Sequence, residues 1–229
     1  MACTGAIAAA GFALTLAAGE PVVFATEAPF APYTTLDAAG EIGGFEREVG
    51  DEVCARAHLT CVWQNVQFDR LMPGVMTGEF DVILGGFAVT PERIRLVDFT
   101  LAYNESSDID KLYGHEGAPA PDQARVAVQS GTIQHGHARD QGWDVLPFGT
   151  PGEVIGAVVA GKADLAFGAF EAEAAAAPDI LPIYEEEVPD MGTAMAVCRG
   201  NTALLTQLNT ALETMLKDGT IDEIAARWL

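Results

Sequence analysis

Arg93 and the residues before it have the types and spacing that would bind a carboxylate. Residues 80–84 (FDVIL) form a mainly apolar run typical of a buried strand, and Gly85 and Gly86 allow a ligand to approach the backbone closely. Thr90-Pro91 predicts a helix start with Thr90 as its N-cap. Arg93 falls in the first turn, where the helix dipole disfavours a cation, so its planar fork of donors is expected to reach for an anion. A surface salt bridge is the alternative.

A second candidate anion site follows the strand predicted at residues 125–129. Ser130-Gly131-Thr132 would open a helix there, and the N–H groups at a helix start commonly bind anions. Other kinds of site lack their sequence patterns. No His or Cys cluster has metal-ligand spacing, no nucleophile has an identifiable base, and no P-loop glycine motif occurs. The sequence therefore indicates no metal and no cofactor.

The predicted elements would bring several of these residues to one edge of a sheet. Apolar runs and amphipathic stretches alternate, with strands predicted at 22–26, 60–66 and 80–84 and helices at 45–57 and 68–76. This order is typical of an α/β domain with a mostly parallel sheet and helices on both faces, in which ligands bind beyond the carboxyl ends of the strands. Phe30, Phe68 and Gly86 fall at or just past such ends.

The layout of residues 78–84 recurs later in the chain. Residues 161–167 (GKADLAF) and 78–84 (GEFDVIL) both have a glycine that ends a helix, an aspartate at the strand entry and a buried strand. Two similar lobes would produce this repeat, and a strand within 192–198 would return to the first lobe. The predicted organisation is a discontinuous first lobe of residues 20–104 and 193–229, a second lobe of residues 105–192, and a two-strand hinge.

Charge and the first residues indicate where the protein acts. The chain has 33 acidic and 12 basic residues, a formal net charge of -21, which argues against nucleic acid or an anionic membrane as a partner. Residues 2–18 carry no charge and resemble the apolar region of a signal peptide, although a basic segment before them is missing. Residues 1–19 are therefore interpreted as a signal-peptide remnant. No later run is long and apolar enough to span a bilayer.

Several motifs in a fixed order resemble one family. Residues 78–93 (GEFDVILGGFAVTPER), followed by 97–100 (VDFT), resemble the signature of the bacterial extracellular solute-binding proteins of family 3, which feed polar amino-acid ABC importers. Further matches lie at residues 25–33, 43–46, 128–134 and 161–167, and the resemblance covers roughly residues 20–229. It implies a two-lobe, type II periplasmic-binding-protein-like fold. It also implies a monomeric periplasmic receptor that captures a small carboxylate-bearing solute by lobe closure and presents it to a membrane permease.

The resemblance also implies a ligand site. Arg93 would grip the ligand carboxylate, helped by backbone or side-chain donors at Gly86, Ala88 and Thr132. Phe30 and Phe68 would stack on the ligand's side chain. Gln129 and Gln134 would line the wall of the second lobe, where amide groups can bind a polar tail.

Cys54 and Cys61 lie between the end of a predicted helix and the start of the next strand. A short disulfide there would fit an exported protein, whereas two reduced cysteines in an apolar niche are the alternative. Related solute-binding proteins often carry a bridge at this spacing, and the resemblance therefore favours the disulfide.

Two positions depart from the family's pattern. Amino-acid binders of the family usually place an aspartate for the ligand's ammonium just after the strand that matches residues 163–167, where this chain has Ala169. A buried ammonium would then lack its usual partner, at a cost of roughly a few kcal/mol. Ala88 likewise replaces a hydroxyl side chain. Glu27 is the best substitute acid, and an ectoine-like solute with its cation on Glu27 and its carboxylate on Arg93 is one hypothesis for the ligand.

An enzyme is the competing hypothesis. Cyclohexadienyl dehydratases resemble this fold and also hold a carboxylate, but they need a general acid in addition. Glu171 and Glu173 are the candidates, although they fall on an alanine-rich helix whose charged face is more often solvated. The receptor hypothesis needs no covalent chemistry and no catalytic residue, and it is the leading prediction.

Overall fold

Two compact units make up the computed structural model, which describes residues 20–105 and 109–229. The first unit comprises the described residues up to Val66 together with residues 71–104 and 192–229. The second comprises residues 67–70 and the described part of 105–191. The signal peptide predicted at residues 1–19 lies outside the described residues. Within the described ranges, no helix is both long and apolar enough to cross a membrane.

Short strands and helices alternate along the chain. The strands are β1 (Val22–Thr26), β2 (Thr35–Leu36), β3 (Ile42–Gly43), β4 (Cys61–Asn65), β5 (Val82–Ile83), β6 (Val97–Phe99), β7 (Ile109–Gly114), β8 (Arg125–Gln129), β9 (Asp144–Phe148), β10 (Leu165–Phe167), β11 (Leu181–Glu187) and β12 (Ala196–Cys198). The α-helices are α1 (Phe45–Arg56), α2 (Phe68–Thr77), α3 (Pro91–Ile94), α4 (Ile133–Asp140), α5 (Pro151–Val159), α6 (Glu171–Ala175), α7 (Thr202–Asp218) and α8 (Thr220–Trp228). A 3-10 helix spans Pro121–Gln123.

The main sheet of the first unit has the strand order β4-β1-β5-β12-β6. β1 pairs in parallel with β4 and β5, whereas β12 pairs antiparallel with β5 and β6. The parallel part comes from the strand-helix-strand order predicted near the start of the chain. The antiparallel part arises because the chain returns to this sheet from the second unit.

Helix α1 covers this sheet through residues spaced four apart. Phe45, Val49 and Val53 are fully buried and share one core with Phe24 of β1. Buried leucines and Met215 of α7 complete that core. The apolar spacing that predicted an amphipathic helix at residues 45–57 therefore positions α1 on the sheet.

The sheet of the second unit has the order β11-β7-β10-β8-β9. β8 pairs in parallel with β9 and β10, whereas β7 pairs antiparallel with β10 and β11. Each unit therefore contains a sheet whose parallel strands are joined by helices, and the predicted α/β class with two sheet-containing lobes is confirmed. Both sheets also contain antiparallel strands, so each sheet is mixed.

The repeat predicted from two aspartates has the same hydrogen bonds in both units. Asp81 accepts the Val23 N–H at 2.8 Å and donates its own N–H to the Val23 carbonyl. Asp164 accepts the Arg125 N–H at 2.8 Å and donates its N–H to the Arg125 carbonyl. In each unit the aspartate thus fixes the start of the neighbouring strand.

A disulfide joins Cys54 near the end of α1 to Cys61 at the start of β4, with 6.3 Å between the two Cα atoms. The bridge favoured at this spacing is therefore confirmed. It ties the helix directly to the edge strand of the first unit's sheet.

Candidate functional site

Arg93 is a buried residue in the first turn of α3. The Thr90 hydroxyl accepts the Arg93 N–H at 3.3 Å, and Pro91 is the first helical residue, as the sequence predicted. Only 7% of Arg93 is exposed. Its Nη1 donates to the Ala88 carbonyl at 2.8 Å, and its guanidinium carbon lies 4.0 Å from the centre of the Phe87 ring. The alternative of a surface salt bridge does not fit this burial.

The backbone of Gly85 and Gly86 packs so closely that larger residues would not fit. A Cβ atom at Gly85 would lie 2.5 Å from the Thr26 hydroxyl oxygen. Gly86 has a left-handed φ of +61°, and a Cβ there would lie 3.2 Å from the Phe30 ring. The turn after β5 therefore lies beside Phe30, which follows β1, at the carboxyl ends of two parallel strands. Phe30 is partly exposed and stacks on Tyr33 with 5.2 Å between ring centres.

The Gly86 N–H, predicted to help bind the ligand carboxylate, is held by Glu46 instead. It donates to Glu46 Oε1 at 2.7 Å, and the Tyr103 hydroxyl donates to Glu46 Oε2 at 2.6 Å. Burial raises the pKa of this fully buried carboxyl to about 7, against the lowering effect of the two hydrogen bonds. The donor role predicted for Gly86 is therefore not supported, because its one N–H group is already used.

Glu27 and Ala88 complete the predicted residues of the first unit. Glu27 directly follows β1, is 9% exposed, and accepts a hydrogen bond from the Thr34 hydroxyl at its carbonyl oxygen. Ala88 forms an isolated antiparallel bridge with Thr193, and its carbonyl holds Arg93. The backbone carbonyl of Ala88 therefore holds the Arg93 guanidinium by accepting its hydrogen bond.

In the second unit, Gln129 and Thr132 lie where β8 ends and α4 begins. Thr132 is the N-cap of α4: its hydroxyl accepts the His135 N–H at 3.1 Å and donates to the Gln129 carbonyl at 2.8 Å. The hydroxyl hydrogen of Thr132 is therefore used within the turn, and its N–H lies 3.4 Å from the same Gln129 carbonyl. The backbone or side-chain donor role expected of Thr132 stays a prediction. Gln129 is buried, and its Nε2 donates to the Gly149 carbonyl at 3.3 Å.

Gln134 forms a hydrogen bond with Asp110, a carboxylate that the sequence did not point to. Its Nε2 donates to Asp110 Oδ2 at 2.8 Å. Burial raises the pKa of Asp110; Gln134 opposes the rise, and Glu171 and Asp190 add to it electrostatically. The sequence shows Asp110 only as an acidic residue in the mixed polar and apolar run that forms β7. Which side chains surround it depends on how β7 pairs with its neighbouring strands, and the sequence alone does not give that pairing.

Ala169 and Phe68 are the remaining predicted residues, and both belong to the second unit. Ala169 lies in the turn between β10 and α6 and is partly exposed. Phe68 is the first residue of α2 and is also partly exposed. The structure places each of them at a strand end or helix start, as the sequence predicted.

Glu171 and Glu173, the acids considered for an enzyme, differ in their surroundings. Glu171 contacts Lys111 Nζ at 3.1 Å. Burial alone would raise the Glu171 pKa, but backbone, Tyr113 and Lys111 hydrogen bonds together with the Lys111 charge leave it lowered. Burial raises the pKa of Glu173. Glu171 is therefore a poor general acid, and Glu173 is the better candidate of the two.

Three comparisons agree on the kind of protein that this chain resembles. The family model described as bacterial extracellular solute-binding proteins, family 3, matches residues 22–229. An Escherichia coli K12 protein provisionally named ABC transporter arginine-binding protein 2 is 32% identical over 96% of this chain and 95% of its own length. ABC transporter arginine-binding protein 1 of the same strain is 28% identical with the same coverage.

The comparison with solved structures gives the same result. The crystal structure of a periplasmic His/Glu/Gln/Arg/opine family-binding protein from Silicibacter pomeroyi, in complex with lysine, has a TM-score of 0.83 and 31% identity. The match covers 90% of this chain and 96% of that one.

Proposed function

Because the chain belongs to family 3 of the bacterial extracellular solute-binding proteins, we propose that it is a periplasmic receptor that captures an amino acid and delivers it to the permease of an ABC importer. The two relatives described above are named as arginine-binding proteins, and the solved structure contains lysine. A cationic amino acid, arginine or lysine, is therefore the favoured ligand. The receptor works by reversible binding and carries out no covalent step.

The placement of Arg93 is the observation that carries this proposal. Arg93 keeps one donor on the Ala88 carbonyl and its flat face on Phe87, which fixes the plane of the guanidinium. A fixed guanidinium plane suits a two-point contact with the α-carboxylate that every amino acid carries.

The other residues expected at the ligand site are also part of this proposal. Phe30 is partly exposed and lies beside the glycine turn, which suits packing against an aliphatic ligand chain. Phe68, Gln129, Gln134 and Ala169 are assigned to the ligand by the resemblance. Ectoine, with Glu27 as its cation partner, is the competing ligand, and the experiment below includes it.

Calorimetric titration of protein that has been unfolded and refolded to remove bound solute tests this proposal. Arginine, lysine, histidine, glutamine, ectoine and prephenate are the ligands. We expect arginine or lysine to bind at micromolar level or better. At ~100 times its dissociation constant, the bound amino acid should also raise the free energy of unfolding by about 2.7 kcal/mol.

Two results would contradict the proposal. Binding of ectoine with no binding of any amino acid would replace the ligand class and support Glu27 as the cation partner. Turnover of prephenate that is lost in Glu173→Gln would identify an enzyme and overturn the receptor. The Glu171→Gln variant is the matched control, because it removes a neighbouring carboxylate with a lowered pKa.

A further inference from the structure

Asp110 lies at the end of the second unit's sheet where its parallel strands have their carboxyl ends. Ligands of α/β proteins bind at this end of a sheet. The strand of Asp110, β7, runs antiparallel to β10, with Leu112 opposite Phe167, and the Gly168 N–H continues this pairing to the Lys111 carbonyl at 3.2 Å. Asp110 directly precedes Lys111 on β7, and Ala169 directly follows Gly168. β8 and β10 are parallel and terminate at this end of the sheet, so Asp110 is a carboxylate beside the carboxyl ends of two parallel strands.

The Asp110 carboxylate has spare acceptor capacity. An ionised carboxylate offers about four acceptor positions. Gln134 fills one of them at 2.8 Å, and in the described ranges no other side chain or N–H group donates to Asp110 and no Lys, Arg or His forms an ion pair with it. Burial raises its pKa, and the charges of Glu171 and Asp190 raise it further, against a smaller opposing effect of His137. These surroundings favour the arrival of a cation.

Two neighbouring carboxylates are already paired with basic side chains. Glu171 contacts Lys111 at 3.1 Å, and Glu186, which is opposite Asp110 on β11, contacts His137 Nε2 at 2.9 Å. Asp110 differs from both because its donor, Gln134, has an amide in place of a basic group. A cationic ligand that reached this end of the sheet would therefore meet, in Asp110, a carboxylate with no recorded ion pair among the described residues.

We propose that Asp110 accepts the cationic nitrogen group of the bound amino acid and thereby determines specificity for it. The inference rests on the proposed function and adds a residue that the resemblance does not assign. Ala169, where the family usually has an aspartate, contributes only a methyl group, and Gln134 orients the carboxylate of Asp110. The α-ammonium and a side-chain guanidinium are both cationic N–H donors, so either could bind Asp110. Ligand analogues that lack one of the two groups distinguish between them.

The test compares Asp110→Asn with the parent protein by calorimetric titration with arginine. Asparagine keeps the shape and can still accept from Gln134, so the fold is expected to persist, as checked by circular dichroism. We expect the dissociation constant for arginine to rise at least about tenfold, since a buried charge pair loses one partner. Asp140→Asn, an exposed carboxylate at the other end of α4, is the control and is expected to bind arginine as the parent does. Asp110→Glu, which keeps the charge, should retain more affinity than Asp110→Asn.

Two analogues of arginine identify the group that Asp110 contacts. If the contact is to the α-ammonium, the effect of Asp110→Asn disappears with 5-guanidinovalerate, which lacks that group. If the contact is to the guanidinium, the effect disappears with citrulline, whose urea group is neutral. An equal loss for arginine and both analogues would indicate a merely structural role and overturn the inference.

Failure of the inference is distinct from failure of the proposed function. Parent protein that binds arginine or lysine, with an unchanged dissociation constant in Asp110→Asn, would overturn the role of Asp110 and leave the receptor intact. Parent protein that binds no amino acid would instead overturn the receptor, and the inference with it.

Discussion

At the scale of single residues, Arg93 is the one whose removal should separate binding from folding. Arg93→Ala removes the proposed carboxylate partner together with the contacts to Ala88 and Phe87. We expect the protein to remain folded, with a loss of roughly 1–2 kcal/mol in stability, and arginine to lose about 2–5 kcal/mol of binding free energy. Calorimetric titration and urea unfolding measure the two quantities separately.

The control for this prediction is Arg95→Ala. Arg95 follows α3 and is 70% exposed, with a long contact of 3.5 Å to Glu92. Its removal should change neither stability nor binding by more than about 0.5 kcal/mol. Arginine affinity that survives Arg93→Ala would show that the carboxylate is held elsewhere.

The raised pKa of the buried Glu46 should make the stability of the protein depend on pH in an unusual direction. Its pKa is about 7 in the folded protein, against an ordinary glutamate value of 4.5 in the unfolded chain, so the folded protein binds the extra proton between these two values. The contribution of Glu46 to the free energy of unfolding is therefore greatest below about pH 4.5. It falls by about 3 kcal/mol in total as the pH rises through 7. This direction is opposite to that of an ion-paired carboxylate.

The variant Glu46→Gln tests this linkage because glutamine stays neutral. Urea unfolding between pH 5 and pH 8 should show a smaller fall in the free energy of unfolding than in the parent. Glu213→Gln, an exposed glutamate of α7, should keep the fall of the parent protein. Equal falls in all three proteins would show that Glu46 is already ionised throughout.

At the scale of elements, the turn after β5 depends on glycine more than the helices do. Gly86 has a φ of +61° and lies against Phe30, so Gly86→Ala should reduce stability by about 1–2 kcal/mol and weaken ligand binding. Gly156→Ala in α5 meets no atom within 4 Å and should increase stability by about 0.5–1 kcal/mol. Thermal unfolding of both variants measures the contrast. A gain of stability in Gly86→Ala would contradict the role of the turn.

Local sequence signals predicted the elements well where one signal dominated. The apolar run at residues 125–129 is β8 at the predicted bounds, and Thr90-Pro91 starts α3 as predicted. The run at residues 80–84 is buried throughout, except at Asp81, but only Val82–Ile83 has strand geometry, because ladder pairing is limited to those residues.

The candidate site was less predictable because its decisive contacts join distant parts of the chain. Glu46 meets Gly86 and Tyr103, which are 40 and 57 positions away. Asp110 comes opposite Glu186 only through the register of β7 and β11. Sequence patterns find a residue type and its element, but the register of non-local strands decides which side chains meet.

At the scale of the whole molecule, the excess of negative charge should make stability depend on salt. The chain has 33 acidic and 12 basic residues, so even complete pairing of the basic residues would leave 21 unpaired negative charges. Repulsion among these charges opposes the compact state and is screened as the Debye length falls from about 30 Å at 0.01 M salt to about 10 Å at 0.1 M. The free energy of unfolding should therefore rise when sodium chloride is added.

Ion pairs such as Arg56–Asp218 at 2.6 Å would produce the opposite trend, because salt weakens attraction between exposed charges. Such exposed pairs contribute about 1 kcal/mol or less each, whereas repulsion acts over the whole surface, so we expect the rise to dominate. Urea unfolding at 0.01, 0.1 and 0.3 M sodium chloride measures the balance, with chloride chosen because sulfate strengthens apolar burial by exclusion. A free energy of unfolding that falls over this range would show that local ion pairs, not net repulsion, control the salt response.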